Sequence, residues 1–393
     1  MTGQTIPGLP ALSDRFDDVR RIAVLRGGGL GDLVFAFPAI AALAATYPDA
    51  EITLLGSPSH VALLGGRPGP VDAIEVLPVV PGVGDSSGTE VDDAATEAFV
   101  ARMRERRFDL AVQVHGGGRN SNPFLLRLGA RHTVGTRTPD AEALERTIPY
   151  VYYQHEVLRA LEVVALAGAA STDAPVLVPT DAERARGREL LGRDVDGHDD
   201  DGAGRPVVVI HPGATDPRRR WPAERFGELA ARLVAQEVRV VVVGDASDVE
   251  AAGTILEVAG RASGRADAVT SLADRASLSE LVGVLAEADL VVADDSGPRH
   301  LAESLGTATS AVFWFGNVIN AGALGRTRHR IAMSYRTSCP VCGVDITQVG
   351  WTSERCEHDD SVVADVTLDE VWQNTTELLA SLPPRSGAQS VRA

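Results

Sequence analysis

The 393-residue sequence contains no lysine, and this absence limits how the protein can bind an anion. Every cationic contact must come from arginine, histidine or the N-terminus of a helix, so a lysine-dependent P-loop is excluded. The formal net charge of −17 argues against binding to nucleic acid, because a phosphate backbone is bound by a basic face. A phosphate-containing ligand would therefore be bound locally, by a few arginines.

Cysteine is scarce, and long apolar runs are absent. Three cysteines in a chain of this length do not make a disulfide framework, and they are consistent with a reducing cytoplasm. The longest apolar run, residues 33–45, is too short to span a bilayer and contains Pro38. A polar stretch rather than a signal-peptide pattern precedes the first strand. We therefore expect a cytoplasmic protein without a transmembrane segment, and peripheral association with the inner face of the membrane is compatible with this expectation.

Short β-branched runs alternate with helical patterns along the chain, which is typical of βα units on parallel sheets. The chain is longer than one hydrophobic core usually supports, so two domains are expected. Each half opens with an apolar strand that runs into a glycine-containing loop. This predicts an α/β fold of two Rossmann-like domains that face a central cleft. The predicted strands are RIAVLR, EITLLG, AIEVLP and FDLAVQV in the first half and VVVIHPG, VRVVVVGD, DLVVADDSG and TSAVFWFG in the second.

A stretch rich in glycine and aspartate, residues 191–206, separates the two halves. We place the N-terminal domain at residues 1–195, a linker at 196–206 and the C-terminal domain at 207–393. A further stretch, residues 78–93, is predicted to be a loop within the first domain.

The glycine run GGGLGD does not fit a dinucleotide-binding fingerprint. A G-x-G-x-x-G frame that starts at Gly27 ends on Asp32, and one that starts at Gly29 ends on Val34. Glu51, the acid at a suitable separation for a ribose, begins a strand rather than ending one. These mismatches argue against a dehydrogenase and leave two interpretations, a tight turn alone or a ligand-binding loop.

Three stretches occur in a fixed order: GGGLGDLVFAFPAIAAL, HPGATDPRRRWPAERFGELA and DDSGPRHLAESLG. Together they resemble glycosyltransferase family 9, the heptosyltransferase family, from about Arg21 to the final helix. The resemblance implies a GT-B-like fold, with an N-terminal acceptor domain and a C-terminal domain that binds a nucleotide-diphosphate sugar, usually an ADP-sugar. It also implies an inverting transfer that needs no cofactor or metal for catalysis, with a glycan or lipid-linked acceptor.

The resemblance also implies roles for particular residues. Asp32 takes the general-base position, and the glycines before it, among them Gly29 and Gly31, would let the donor approach the backbone closely. The family commonly has a lysine in its basic pair, where this chain has arginine. Arg299 and Glu303 add charges where apolar or small residues are expected. The residues that the resemblance places at the donor phosphates are Arg219, Arg220, Asp295, Ser296, Gly297 and His300.

The residue types in the second half fit this chemistry. Arginine supplies a fixed charge and paired donors to a diphosphate leaving group, although three consecutive arginines could also form a solvated basic loop. In the stretch DDSG a predicted strand ends and a predicted helix begins, so backbone N–H groups of the helix could bind phosphate oxygens. One of the two acids would cap the helix or orient His300. Gly244 and Asp245 are candidates for the ribose. For the acceptor we expect the loop HGGGRNSNPF, with His115, Arg119 and Asn120.

Asp32 has two interpretations. It could be only the N-cap of a helix that begins near Leu33, with Pro38 leaving a short or kinked first segment. Alternatively, it could be an ionised base that faces the cleft within reach of an acceptor hydroxyl.

The three cysteines lie close to a histidine in the pattern C-x₂-C, a long gap, then C-x-H. Three thiols and an imidazole can form a closed tetrahedral zinc site, which would be structural, or they can be reduced thiols in a loop. The residues are Cys339, Cys342, Cys356 and His358.

The sequence therefore predicts an inverting glycosyltransferase that uses a nucleotide-diphosphate sugar. Two other interpretations stay open, a sugar-nucleotide epimerase or hydrolase on the same fold and a non-catalytic nucleotide-sugar-binding protein.

Overall fold

The computed structural model describes residues 13–84, 91–171, 173–194, 204–265, 269–347 and 354–383. The chain divides into two compact units, Met1–Pro175 and Val176–Ala393. Each unit is built on a six-stranded parallel sheet with helices between the strands. The α/β class with two Rossmann-like units is thus confirmed.

The first sheet has the strand order β3-β2-β1-β4-β5-β6, and every neighbouring pair is parallel. The order reverses between β1 and β4, and ligands of such sheets bind at the carboxyl ends of the strands beside this point. The elements are β1 (Arg21–Leu25), α1 (Leu30–Thr46), β2 (Glu51–Gly56), α2 (Pro58–Leu64), β3 (Ala73–Val76), α3 (Asp93–Glu105), β4 (Leu110–Gln113), α4 (Ser121–Leu126), β5 (His132–Arg137), β6 (Arg146–Pro149) and α5 (Glu156–Ala165).

The second sheet repeats this arrangement in the order β12-β11-β10-β7-β8-β9, with its reversal between β7 and β10. Its central strands are buried along their whole length, as their continuous apolar sequences predict. The elements are α6 (Asp181–Leu190), β7 (Val207–His211), α7 (Ala223–Ala235), β8 (Arg239–Val242), α8 (Val249–Ser263), β9 (Val269–Ser271), α9 (Leu278–Glu287), β10 (Leu290–Asp294), α10 (Gly297–Ser304), β11 (Ala308–Trp314), α11 (Phe315–Ala321), β12 (His329–Ser334) and α12 (Leu368–Ser381).

The boundary between the units lies at Pro175, earlier than the expected end of the first domain at residue 195. Helix α6 belongs to the second unit because it packs against α9 with backbone in contact. A Cβ on Gly187 would lie 2.2 Å from the backbone of Gly283, so only two glycines permit this approach. The Gly- and Asp-rich stretch follows α6 in sequence, and most of the predicted linker, residues 196–203, lies outside the described residues.

Helix α1 begins earlier than predicted, and Pro38 does not interrupt it. It begins at Leu30, with Gly29 as its N-cap, and it continues through Pro38 to Thr46. Tertiary burial explains this, because residues on both sides of the proline are packed into the core. Within the described ranges, no helix combines the length and the apolar character needed to cross a membrane.

Candidate active site

Asp32 occupies the third position of α1 and is fixed by two hydrogen bonds. Its Oδ2 accepts from the Gly29 backbone N–H at 3.0 Å, and its Oδ1 accepts from the Arg26 guanidinium at 2.8 Å. The prediction of Asp32 as the N-cap is wrong, because Gly29 is the N-cap and Asp32 caps from inside the first turn. The side chain is still 49% exposed. Capping and catalysis are therefore compatible, because two bonds leave lone pairs of the carboxylate free for a hydroxyl.

The glycine run explains how the carboxylate comes so close to the backbone. Gly28 has φ +87°, and a Cβ there would lie 2.5 Å from Asp32 Oδ2. A side chain at this position would displace the carboxylate, so the run is more than a turn.

Arg26, the residue after β1, is buried and joins two acids. Its Nε donates to the Asp32 carbonyl at 2.8 Å, and its guanidinium lies 3.4 Å from Glu156, the first residue of α5. A third donor binds the Val114 carbonyl at the end of β4. Sequence reasoning missed Arg26, yet an arginine at the end of a buried strand signals a paired charge.

Two histidines lie beside this ion pair. His60 Nδ1 accepts from the Ser57 backbone N–H at 3.2 Å, so its proton is on Nε2, which faces the Gly29 carbonyl at 3.3 Å. Gly29 is thus held at its carbonyl by His60 and at its N–H by Asp32. Burial lowers the pKa of His60 and of His115, and both respond to the charges of Arg26 and Asp32.

The predicted acceptor residues do not share one environment. His115 is partly buried and lies near Arg26 and Asp32, at the switch point of the first sheet. Arg119 instead pairs with Asp140 at 3.5 Å, with both side chains mostly exposed. Asn120 is the N-cap of α4 and packs against Gly82 of the predicted 78–93 loop. Of the predicted acceptor residues, His115 therefore lies near Asp32, whereas Arg119 pairs with Asp140 instead.

In the second unit, the Asp295 side chain, just after the end of β10, contacts three other side chains. Its Oδ2 accepts from Arg219 at 2.8 Å and from Asn317 at 2.6 Å, and its Oδ1 lies 3.3 Å from His300 Nε2. Burial acts to raise the pKa of Asp295, but the hydrogen bond from His300 and the charge of Arg219 outweigh it and hold the pKa below its usual value. Asp295 therefore orients His300, one of the two roles expected for an acid here.

Asp294 has a different role from its neighbour. Its carboxylate is fully buried and accepts the Trp221 backbone N–H at 3.1 Å with each oxygen. Burial raises its pKa well above the ordinary value. Asp294 thus anchors the arginine loop, residues 216–220, to β10.

Of the three arginines in this loop, one reaches the Asp295 cluster. Arg218 is bound by both oxygens of Asp216, and Arg220 Nε donates to the Ala214 carbonyl at 2.9 Å. Arg219 alone pairs with Asp295, and its side chain stays 26% exposed. The loop is therefore more ordered than a solvated basic run.

A row of polar side chains that sequence reasoning missed lies beside Ser296, the N-cap of α10. His211 Nδ1 lies 3.0 Å from Ser296 Oγ, and His211 Nε2 lies 3.4 Å from Asp248. Asp248 in turn accepts from the Asp245 backbone N–H, and Gly244 packs against its side chain. The signal was present in HPG, because a histidine at the end of a buried strand needs partners.

Arg299 and Glu303 form a buried ion pair rather than adding free charges to the site. Arg299 is fully buried, and its guanidinium lies 2.8 Å from Glu303 and 4.8 Å from the centre of the Phe313 ring. Burial acts to raise the pKa of Glu303, but the Arg299 charge and the His300 hydrogen bond lower it to about 2. The two departures from the family pattern thus form an i,i+4 ion pair within α10 that packs against Phe313.

The predicted metal ligands lie together. The ligand atoms of Cys339, Cys342, Cys356 and His358 are all within 4.8 Å of one another. Backbone N–H groups of Cys342 and Val341 lower the pKa of the Cys339 thiol to about 7. His358 Nδ1 is buried and has no hydrogen-bond partner. A thiolate-rich set with an orphaned imidazole nitrogen fits a tetrahedral metal ion.

Comparisons with known proteins agree with this architecture. The family model of glycosyltransferase family 9 (heptosyltransferase) matches residues 97–339. Lipopolysaccharide heptosyltransferase 2 of Salmonella typhimurium is 25% identical over 302 residues, which cover 75% of this chain and 82% of that protein.

Solved structures show the same fold. The structure of E. coli ADP-heptose lps heptosyltransferase II is 19% identical, has a TM-score of 0.65, and is matched over 92% of this chain and 98% of that one. TibC of enterotoxigenic E. coli, an iron-containing dodecameric glycosyltransferase, is 12% identical with a TM-score of 0.53, over 94% of this chain and 78% of that one. These likenesses confirm the predicted fold class.

Proposed function

The chain belongs to glycosyltransferase family 9, the heptosyltransferase family, and on that premise we propose that it transfers a heptose or related sugar from an ADP-sugar to a glycan hydroxyl. The transfer inverts the anomeric centre and uses no catalytic metal ion. The Asp32 carboxylate carries the proposal, because it is fixed by Arg26 and Gly29 and still half exposed at the switch point of the first sheet.

Asp32 acts as the general base. The acceptor oxygen attacks the anomeric carbon from the face opposite the diphosphate, the bond to the diphosphate oxygen breaks, and the hydroxyl proton passes to Asp32. The carboxylate is positioned for this by its hydrogen bonds with Arg26 and Gly29. The leaving group departs early, so the hydroxyl needs only late deprotonation.

Arg219 stabilises the departing diphosphate. Its guanidinium is held by Asp295 and partly exposed, so it can donate to phosphate oxygens as they gain charge. The N-terminus of α10, at Ser296 and Gly297, contributes backbone dipoles to the same group. His211 orients the Ser296 hydroxyl, and Asp295 orients His300.

The choice of ADP is testable by ligand-induced stabilisation. A ligand that binds only the folded protein at a hundred times its Kd raises the free energy of unfolding by about 2.7 kcal/mol. We expect the largest thermal shift with an ADP-sugar among ADP-, GDP-, UDP- and dTDP-sugars, as the name of the E. coli neighbour suggests. A larger shift with a pyrimidine nucleotide would contradict the proposed donor.

The Cys339, Cys342, Cys356 and His358 cluster holds a structural zinc ion in this proposal. Zinc prefers a closed tetrahedral set of thiolates and imidazole, and its role would be to fix the loops that carry these ligands. Elemental analysis of protein purified without chelator should give about one zinc ion per chain. Iron instead of zinc would contradict the choice of ion, and iron is a relevant alternative because TibC is an iron-containing glycosyltransferase. Metal-free protein would contradict the site. The cytoplasmic location stays a prediction.

A further inference from the structure

Cys356 and His358 lie in a segment whose following residues hydrogen-bond to the arginine loop. Val362 donates its backbone N–H to the Arg218 carbonyl at 2.8 Å, and Ser361 Oγ donates to the Arg220 carbonyl at 2.6 Å. These two bonds flank Arg219 on both sides. The backbone position of Arg219 is therefore set by residues only three to six positions beyond Cys356 and His358.

The same segment also holds the start of α7. The Val366 carbonyl accepts from the Trp221 indole N–H at 3.0 Å and from the Arg225 guanidinium. The Val362 carbonyl accepts from Ser334 Oγ at 2.7 Å, at the end of β12. Residues 361–366 thus form a strip of backbone that joins the arginine loop to the sheet.

The other two ligands, Cys339 and Cys342, come from a different part of the chain, after β12. Cys339 is buried in the core of the second unit and follows β12, and the Cys339 N–H and carbonyl close a tight turn with Val344 and Gly343. Within residues 354–360, side-chain contacts join near neighbours, such as Arg355 with Asp359, or reach the arginine loop at long range, from Arg355 to Asp216 at 4.0 Å. A metal ion would supply the firm connection between the two parts.

We propose that the metal cluster positions Arg219 through Ser361 and Val362, so that metal occupancy sets affinity for the donor diphosphate. The ion ties Cys356 and His358 to the turn at Cys339 and Cys342, and this fixes where the strip at 361–366 begins. Ser361 is thus a positioning residue. The inference rests on the proposed function, because it assumes that Arg219 meets the diphosphate.

Four proteins test this coupling by metal content and by calorimetric Kd values for ADP and for adenosine. In Ser361→Ala all four ligands remain, so we expect full metal content. The ADP Kd should rise roughly 3- to 10-fold, because the hydrogen bond to the Arg220 carbonyl and the long one from the Val363 N–H are lost. Cys342→Ser should lose the metal and raise the ADP Kd at least about as much. Glu357→Gln, an exposed change between the ligands Cys356 and His358, should match wild type in both.

Two readouts separate positioning from general destabilisation. Adenosine lacks the diphosphate, so its Kd should be unchanged in every variant. In a double variant with Arg219→Ala, the Ser361 change should cause no further loss, because both act through one contact.

Each contrary outcome has a distinct meaning. Unchanged ADP affinity in Ser361→Ala, or an equal loss of adenosine affinity, would show that the coupling is wrong while the proposed function stands. If wild type itself binds no ADP, the proposed function fails and the coupling with it. Unchanged ADP affinity in metal-free Cys342→Ser would also contradict the coupling. Should Cys342→Ser not fold, wild type stripped of metal by a chelator takes its place, with the same expected rise in the ADP Kd and the same contrary result.

Discussion

Replacing Asp32 with asparagine is expected to lower the rate of sugar transfer by roughly 100- to 10,000-fold, with donor affinity nearly unchanged. Asparagine can still accept the Gly29 N–H, but it cannot take the proton of the acceptor hydroxyl. The buried Arg26 charge keeps Glu156 and the Val114 carbonyl as partners, so the variant should fold. Transfer kinetics and an ADP titration of the same preparation measure the two effects.

Glu280→Gln is the matched control for Asp32→Asn. Glu280 also occupies the third position of a helix, accepts its N-cap N–H from Ser277 at 2.8 Å and pairs with Arg186 at 2.8 Å. The same exchange of a carboxylate for an amide there should leave transfer at the wild-type rate. Near-normal transfer by Asp32→Asn would mean that Asp32 is only a capping residue and that the base is another group.

Replacing Arg219 with alanine is expected to lower kcat/KM for the donor by roughly 10- to 1,000-fold, because the departing diphosphate loses its main charge partner. Asp295 keeps its contacts with His300 and Asn317, so the cluster should persist. Initial rates over a range of donor concentrations give this ratio.

The neighbouring Arg218→Ala provides the control for Arg219→Ala. Arg218 is bound by Asp216 and does not reach Asp295, so its loss should leave donor kinetics close to wild type. Equal effects of the two substitutions would indicate a general contribution of loop charge. An unchanged Arg219→Ala enzyme would place the arginine outside the donor site.

The fold class follows from sequence because buried parallel strands have continuous apolar runs, and RIAVLR and DLVVADDSG both become central strands. The linker was predicted from the glycines and aspartates of residues 191–206, whereas the compact units divide before α6. Gly187 and Gly283, outside that stretch, permit α6 and α9 to touch. A local pattern cannot distinguish these uses of glycine.

The site was predicted in part for a similar reason. The Cys and His pattern is local enough to identify, and its four members do lie together. Arg26 and His211 were missed because their partners come from strands that are distant in sequence, although the reversal of strand order at β1 and β7 brings them close. The start of α1 was misplaced because Gly29 and Gly31 are poor helix formers, and the contact from Asp32 to Gly29 compensates for them.

The most direct measurement follows ADP release from ADP-heptose with and without lipid-linked glycan acceptors, together with the anomeric configuration of the product by NMR. The account predicts that ADP release depends on the acceptor and that the new glycosidic bond has the configuration opposite to that of the donor. Release of ADP without an acceptor would indicate a hydrolase, and a product that retains the configuration would contradict a single displacement with Asp32 as the base.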